Sequence, residues 1–268
     1  MMRTITILLL VLLCFTQSAK AQDQAYDVFL VAGQSNTLHG CCKDPDLQEV
    51  DSAIMQLGRH EDRDLKIIPA LEPLEHHRTV KDHIGFAMTF ADIYKHNLLK
   101  KNRKILLIPC GKGGTGFASG HWNPGDELYE DAIKRTNYVM EKYPKSELKA
   151  ILWHQGEKDT RENNKNFRED LDRMITQMRK DIEAADENTP FIMGGMVPHW
   201  VSQKSRREKY QRFIRKTQDR LPNVYYVSPY TPYTIHKRDN AVDEIHYDAK
   251  GQVEMGNRYY SVYSSLVK

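Results

Sequence analysis

Five short apolar runs, each succeeded by a longer stretch of helical spacing, constrain this chain more than any other feature. The runs fall at 27–32, 104–109, 148–154, 191–195 and 224–228. Helical patterns occupy 83–100, 127–142, 162–185, 203–221 and 251–266. The runs Lys104-Ile105-Leu106-Leu107-Ile108-Pro109 and Lys149-Ala150-Ile151-Leu152-Trp153 show no polar alternation, which suits strands buried on both faces. Strand and helix in alternation predict an α/β fold with a parallel sheet and helices on both sides. No repeat or linker divides the sequence. Residues 41–81 are the least regular and are expected to form a long surface excursion. In open sheets of this kind chemistry sits beyond the carboxyl ends of the strands, so the residues just past each strand matter most.

The first 21 residues read as a secretory leader: Arg3, an apolar stretch ending at Phe15, then Ala19-Lys20-Ala21, with cleavage expected after Ala21. That stretch is short for a membrane span, and no later segment is apolar enough for one. Removal leaves residues 22–268 as one domain. Taking Arg3 and Lys20 from the formal net charge of +3 leaves +1, which is not the balance of a nucleic-acid-binding protein. Three cysteines remain: Cys41, Cys42 and Cys110. An odd number makes no disulfide framework, and the spacing matches no zinc site. Cys110 either bridges to Cys41 or Cys42 or is a small buried hydrophobe.

Three strand ends and one downstream pair carry chemistry. Gly33-Gln34-Ser35-Asn36 comes after the first run, and Cys110-Gly111-Lys112-Gly113-Gly114-Thr115-Gly116 after the second. Trp153-His154-Gln155-Gly156-Glu157-Lys158-Asp159 comes at the end of the third, and Asp243-Glu244-Ile245-His246 stands far downstream. Acyl transfer by serine needs a nucleophile, a base, a group orienting the base, and donors facing the oxyanion. Ser35 in a turn after a buried strand suits the first role and His246 the second. Asp243, three residues earlier, reaches the imidazole if the segment makes one turn. The glycine-rich loop offers backbone N–H groups, and Gln155 offers an amide. That loop is not a phosphate-binding G-x-x-x-x-G-K-[ST] motif. Nor is Ser35 an α/β-hydrolase elbow, because Thr37 stands where G-x-S-x-G places its second glycine.

Taken in order, these blocks resemble the SGNH hydrolase superfamily, in the branch of sialate O-acetylesterases and family-six carbohydrate esterases (acetylxylan esterases). The resemblance runs from Asp27 to about Arg258. It implies a three-layer α/β/α sandwich around a mainly parallel, flavodoxin-like five-stranded sheet. It also implies a triad of Ser35, His246 and Asp243, with the oxyanion held by the Ser35 and Gly114 N–H groups and the Gln155 side chain. Gly113 is the alternative to Gly114. Glu157 is read as a carboxylate bracing the Ser35 loop in preference to a direct catalytic role. No metal or organic cofactor is implied. The implied activity is removal of acetyl groups from an acetylated carbohydrate. Other readings are a non-catalytic sugar-binding module, or an esterase, lipase or acyltransferase using another acyl ester. Relatives usually continue past Asn36 with Met and an early Gly, whereas Thr37-Leu38-His39 stand here, which puts His39 near the site. Trp122, Trp200 and Tyr233 fall on nearby loops, where aromatics pack more often than they stack on sugars.

Overall fold

The computed structural model describes residues 24–41, 51–236 and 243–267. The leader, its cleavage site and Cys42 lie outside the described residues. Nine strands are described: β1 (Ala25–Gly33), β2 (Gly40–Cys41), β3 (Ile54–Leu57), β4 (Ile67–Pro69), β5 (His83–Ile84), β6 (Arg103–Gly111), β7 (Glu147–His154), β8 (Phe191–Gly194) and β9 (Val224–Val227). Seven of them form one sheet in the order β4-β3-β6-β1-β7-β8-β9, while β2 and β5 pair separately. All five expected runs are strands. They lie side by side and parallel as β6-β1-β7-β8-β9, the flavodoxin-like order.

The sheet has seven strands where five were expected, because the excursion after residue 41 is not purely loop. It adds β3 parallel to β6, then β4 antiparallel at the edge. The four residues of β3 include a buried glutamine, so its apolar signal is weak. Gln56 is satisfied there by accepting from the Glu75 N–H at 2.8 Å.

Among the described residues seven helices accompany the strands: α1 (Ala87–Asn97), α2 (Glu127–Lys142), α3 (Glu157–Glu162), α4 (Phe167–Asp181), α5 (Pro198–Ser202), α6 (Ser205–Arg215) and α7 (Ala249–Leu266). The helix expected over 83–100 starts later, because His83 and Ile84 pair with β2. The chain between β7 and β8 holds two helices instead of one over 162–185. Asn163 ends α3 in the left-handed conformation, φ 56°, and α4 comes next. The 203–221 pattern likewise breaks, into α6 and a 3-10 turn at Lys216–Asp219.

The core sits on both faces of β1, whose residues Val28 to Ala32 have no exposed surface. Phe29 packs edge-on against Phe90 and Tyr94 of α1, at 4.9 and 5.0 Å, and against Tyr263 of α7, at 5.7 Å. Burying each such side chain contributes about 1.5–3 kcal/mol. On the other side α2 packs against β1, β6 and α4. These layers hold the ends of β1, β6 and β7 level: Gly33 pairs with Gly111 on one side and His154 on the other. Gly33 has φ 126°, and a Cβ there would overlap the His154 carbonyl. Gly33→Ala is therefore expected to cost about 3 kcal/mol of stability, from backbone strain and overpacking together. Denaturant unfolding measures it.

Candidate active site

Ser35 opens a 3-10 turn, Ser35–Thr37, immediately beyond the carboxyl end of the central strand. The turn is closed by Thr37 N–H to Gln34 O at 3.0 Å and Leu38 N–H to Ser35 O at 2.9 Å. The Thr37 hydroxyl also donates to Gln34 O, at 2.7 Å. Ser35 is 5% exposed, so its hydroxyl is largely shielded from bulk water.

The downstream loop brings the base to it. His246 Nε2 lies 2.7 Å from Ser35 Oγ, and His246 Nδ1 lies 2.7 Å from Asp243 Oδ2. The other Asp243 oxygen accepts the Ile245 and His246 N–H groups, each at 3.2 Å. A carboxylate bound at Nδ1 fixes the tautomer in which Nε2 is free to receive the serine proton. Ser35, His246 and Asp243 thus come together from positions more than 200 residues apart.

Asn36 joins the two segments. Its Nδ2 donates to Glu157 Oε1 at 2.5 Å and to Ile245 O at 3.0 Å. Its Oδ1 accepts the Tyr247 N–H at 3.0 Å, and its carbonyl accepts from Gln252 Nε2 at 3.0 Å. One fully buried amide therefore ties the nucleophile turn to both sides of His246. In the sequence Asn36 stands out only as part of a motif, because its partners lie in other blocks.

Glu157 is tied to the Ser35 loop through Asn36, and among the described residues no hydrogen bond joins it to Ser35 or His246. Its second oxygen, Oε2, is buried without a hydrogen-bond partner among the described residues. Burial pushes the Glu157 carboxyl up to about 7, against the opposing pull of the Asn36 hydrogen bond. Unfolded, this carboxyl ionises near 4.5. Between these values the folded protein keeps a proton that the unfolded chain has released, so stability falls as pH rises through the window. Glu157→Gln removes that dependence. Its Tm relative to wild type is expected to improve from pH 4.5 to pH 7 and then level off, as thermal melts across that range would read.

The glycine-rich loop lies on the β6 side. A Cβ built on Gly113 would sit 3.6 Å from both Ser35 Cβ and His39 Nε2, while one on Gly114 would meet nothing within 4 Å. Gly113 is therefore the residue packed beside the nucleophile, and Gly114, at φ 75°, opens onto free space. The N–H groups of Ser35, Gly113 and Gly114 have no acceptor among the described residues. Gln155 is 1% exposed, and its Nε2 donates to Asp159 Oδ2 at 2.6 Å. The same amide nitrogen also donates to Thr115 O, at a longer 3.4 Å. Asp159 also accepts the Phe117 and Ala118 N–H groups, each at 3.0 Å, which fastens the glycine loop to α3. Like Asn36, Asp159 is a positioning residue that local sequence did not mark.

His39 is half-buried, with its ring 4.9 Å from that of His246. Burial first, then His246 and His83, pull it down to about 4. Trp122 and Trp200 are packing residues. Trp122 has no exposed surface, donates to the Thr115 hydroxyl at 3.0 Å and meets Trp153 edge-on at 4.9 Å. Trp200 is 4% exposed beneath the Arg207 guanidinium, and Tyr233 alone of the three is exposed. Cys110 is a free, buried thiol 3.3 Å from Arg59 Nη2, pushed up to about 12 by burial, so of its two expected states the unbridged one is found. Among the described residues no three His, Cys, Asp or Glu side chains form a metal-binding group, and no helix is long and apolar enough to cross a membrane.

Comparison with known proteins agrees with this architecture. A family described as "Carbohydrate esterase, sialic acid-specific acetylesterase" matches residues 25–265. A probable carbohydrate esterase of Arabidopsis thaliana is 35% identical over 101 residues, 37% of each chain. A probable 9-O-acetyl-N-acetylneuraminic acid deacetylase of Escherichia coli K12 is 25% identical over 122 residues. Each alignment spans 37% of the curated relative's length. The crystal structure of NanS shares the fold, with a TM-score of 0.78 at 18% identity over 91% of this chain and 98% of that one. This chain belongs to the carbohydrate esterase family of sialic acid-specific acetylesterases.

Proposed function

We propose that this protein is a serine-dependent carbohydrate O-acetylesterase. The observation that carries the reading is the continuous relay from Ser35 Oγ through His246 to Asp243, with both links at 2.7 Å. His246 takes the Ser35 proton as Oγ attacks the acetyl carbonyl carbon. The carbonyl oxygen becomes an oxyanion, held by the Ser35 and Gly114 N–H groups and the side-chain amide of Gln155, with Gly113 the alternative backbone donor. Collapse breaks the ester bond, and the imidazolium hands its proton to the departing sugar oxygen. Water, deprotonated by His246, then hydrolyses the acetyl-serine and restores the enzyme. Asp243 holds the imidazole throughout, and Glu157 acts only through Asn36.

Family membership supports an acetylated sugar as substrate, and the leader supports export, with mature protein beginning at Gln22. Purified protein is expected to release acetate from 4-nitrophenyl acetate. It is also expected to do so from at least one of O-acetylated N-acetylneuraminic acid and acetylated xylo-oligosaccharide. Activity that rises with acyl chain length would contradict the acetylesterase reading and favour a lipase.

A further inference from the structure

His39 is the polar side chain beside the nucleophile that this mechanism leaves without a task. It is held on both sides. Leu38 is 3% exposed, with its N–H bonded to Ser35 O, and Gly40 pairs with Ile84 in β2. The ring between them flanks His246 at 4.9 Å and His83 at 5.8 Å. Its Nε2 and the Ser35 Cβ lie equally close, at 3.6 Å, to the Cβ position of Gly113. Neither ring nitrogen has a hydrogen-bond partner among the described residues. A half-buried imidazole with both nitrogens open, alongside a nucleophile, can exchange water for the hydroxyl of a bound molecule.

We propose that His39 binds the alcohol part of the substrate, hydrogen-bonding a sugar hydroxyl next to the acetylated one, and so favours sugar esters over leaving groups without hydroxyls. This rests on the acetylesterase reading above. A neutral imidazole offers one donor and one acceptor, the same pair of functions that a hydroxyl carries. At neutral pH His39 is in that form, since burial and the neighbouring His246, His83 and Arg78 hold it down near 4. A neutral ring also adds no positive charge beside His246 when the imidazolium forms. A site built to pair with a hydroxyl discriminates well against a ligand that lacks one, because its own polar group is then stranded.

The test compares kcat/KM for 4-nitrophenyl acetate with that for O-acetylated N-acetylneuraminic acid or acetylated xylo-oligosaccharide, using whichever sugar the wild type turns over faster. His39→Ala and His39→Phe are expected to lower the sugar-to-aryl ratio by about tenfold, the worth of one hydrogen bond to a polar site. His39→Gln, which keeps a donor and an acceptor, is expected to recover part of it, and thermal melts confirm that each variant folds. An unchanged ratio overturns the proposal. So does an equal loss on both substrates, which would place His39 in support of His246. Wild type that hydrolyses the aryl ester but neither sugar also overturns it. Wild type inactive on every ester contradicts the acetylesterase reading itself.

Discussion

Ser35→Ala is expected to lower kcat for 4-nitrophenyl acetate by about 10⁶, the loss seen when a serine nucleophile is removed from a comparable triad. The fold should survive, because among the described residues the Ser35 hydroxyl bonds only to His246. Its backbone position is fixed independently, by the turn hydrogen bonds and by Asn36. Tm is therefore expected to stay close to wild type while turnover disappears. Unfolded variant protein would not test the mechanism, so a melt belongs with the kinetics. Residual rate above water is expected, since the oxyanion donors and the binding surface remain.

Asp243→Asn has the next largest expected effect, about 10³–10⁴ in kcat near neutral pH. The reason lies in the second carboxylate oxygen, which accepts two backbone N–H groups of its own loop. An asparagine will place its carbonyl there, because an NH₂ group would face two donors. Its NH₂ then points at His246 Nδ1 and forces the proton onto Nε2. That tautomer cannot accept the Ser35 proton. Half of the Asp243 side chain is exposed, 49%, so water partly substitutes for the lost acceptor, and the lower end of the range reflects this. KM is expected to change much less than kcat. A raised KM with kcat preserved would instead make Asp243 a substrate ligand.

How far the sequence foretold this arrangement depended on how local each signal was. The helix over 127–142 is found at those residues, because its apolar stripe and its ends are both local. The buried run in β1 was equally plain, and with it the placement of Ser35 beyond a strand end. The short strands β2 and β5 were not legible, since two residues of each pair only with one another. In β3, Gln56 hid a buried strand behind a polar residue whose partner, Glu75, lies 19 residues on. Within the site, Ser35, Asp243 and His246 could be nominated because each residue type has a characteristic chemistry. Asn36 and Asp159 could not, because their work is to hold other segments: Asn36 reaches 121 residues to Glu157 and 209 to Ile245. Gln155 was legible as a donor, but not that one of its hydrogens is committed to Asp159. Trp122 looked like a loop aromatic until its loop folded inward against Trp153.

The central claim is that acetyl passes through Ser35. Intact-protein mass spectrometry after brief exposure to a serine-directed phosphonate, with peptide mapping of the product, tests it most directly. One covalent adduct on Ser35 is expected, with esterase activity lost in step and no adduct on Ser35→Ala. Labelling confined to another residue, or full esterase activity in protein whose Ser35 is completely modified, would contradict it.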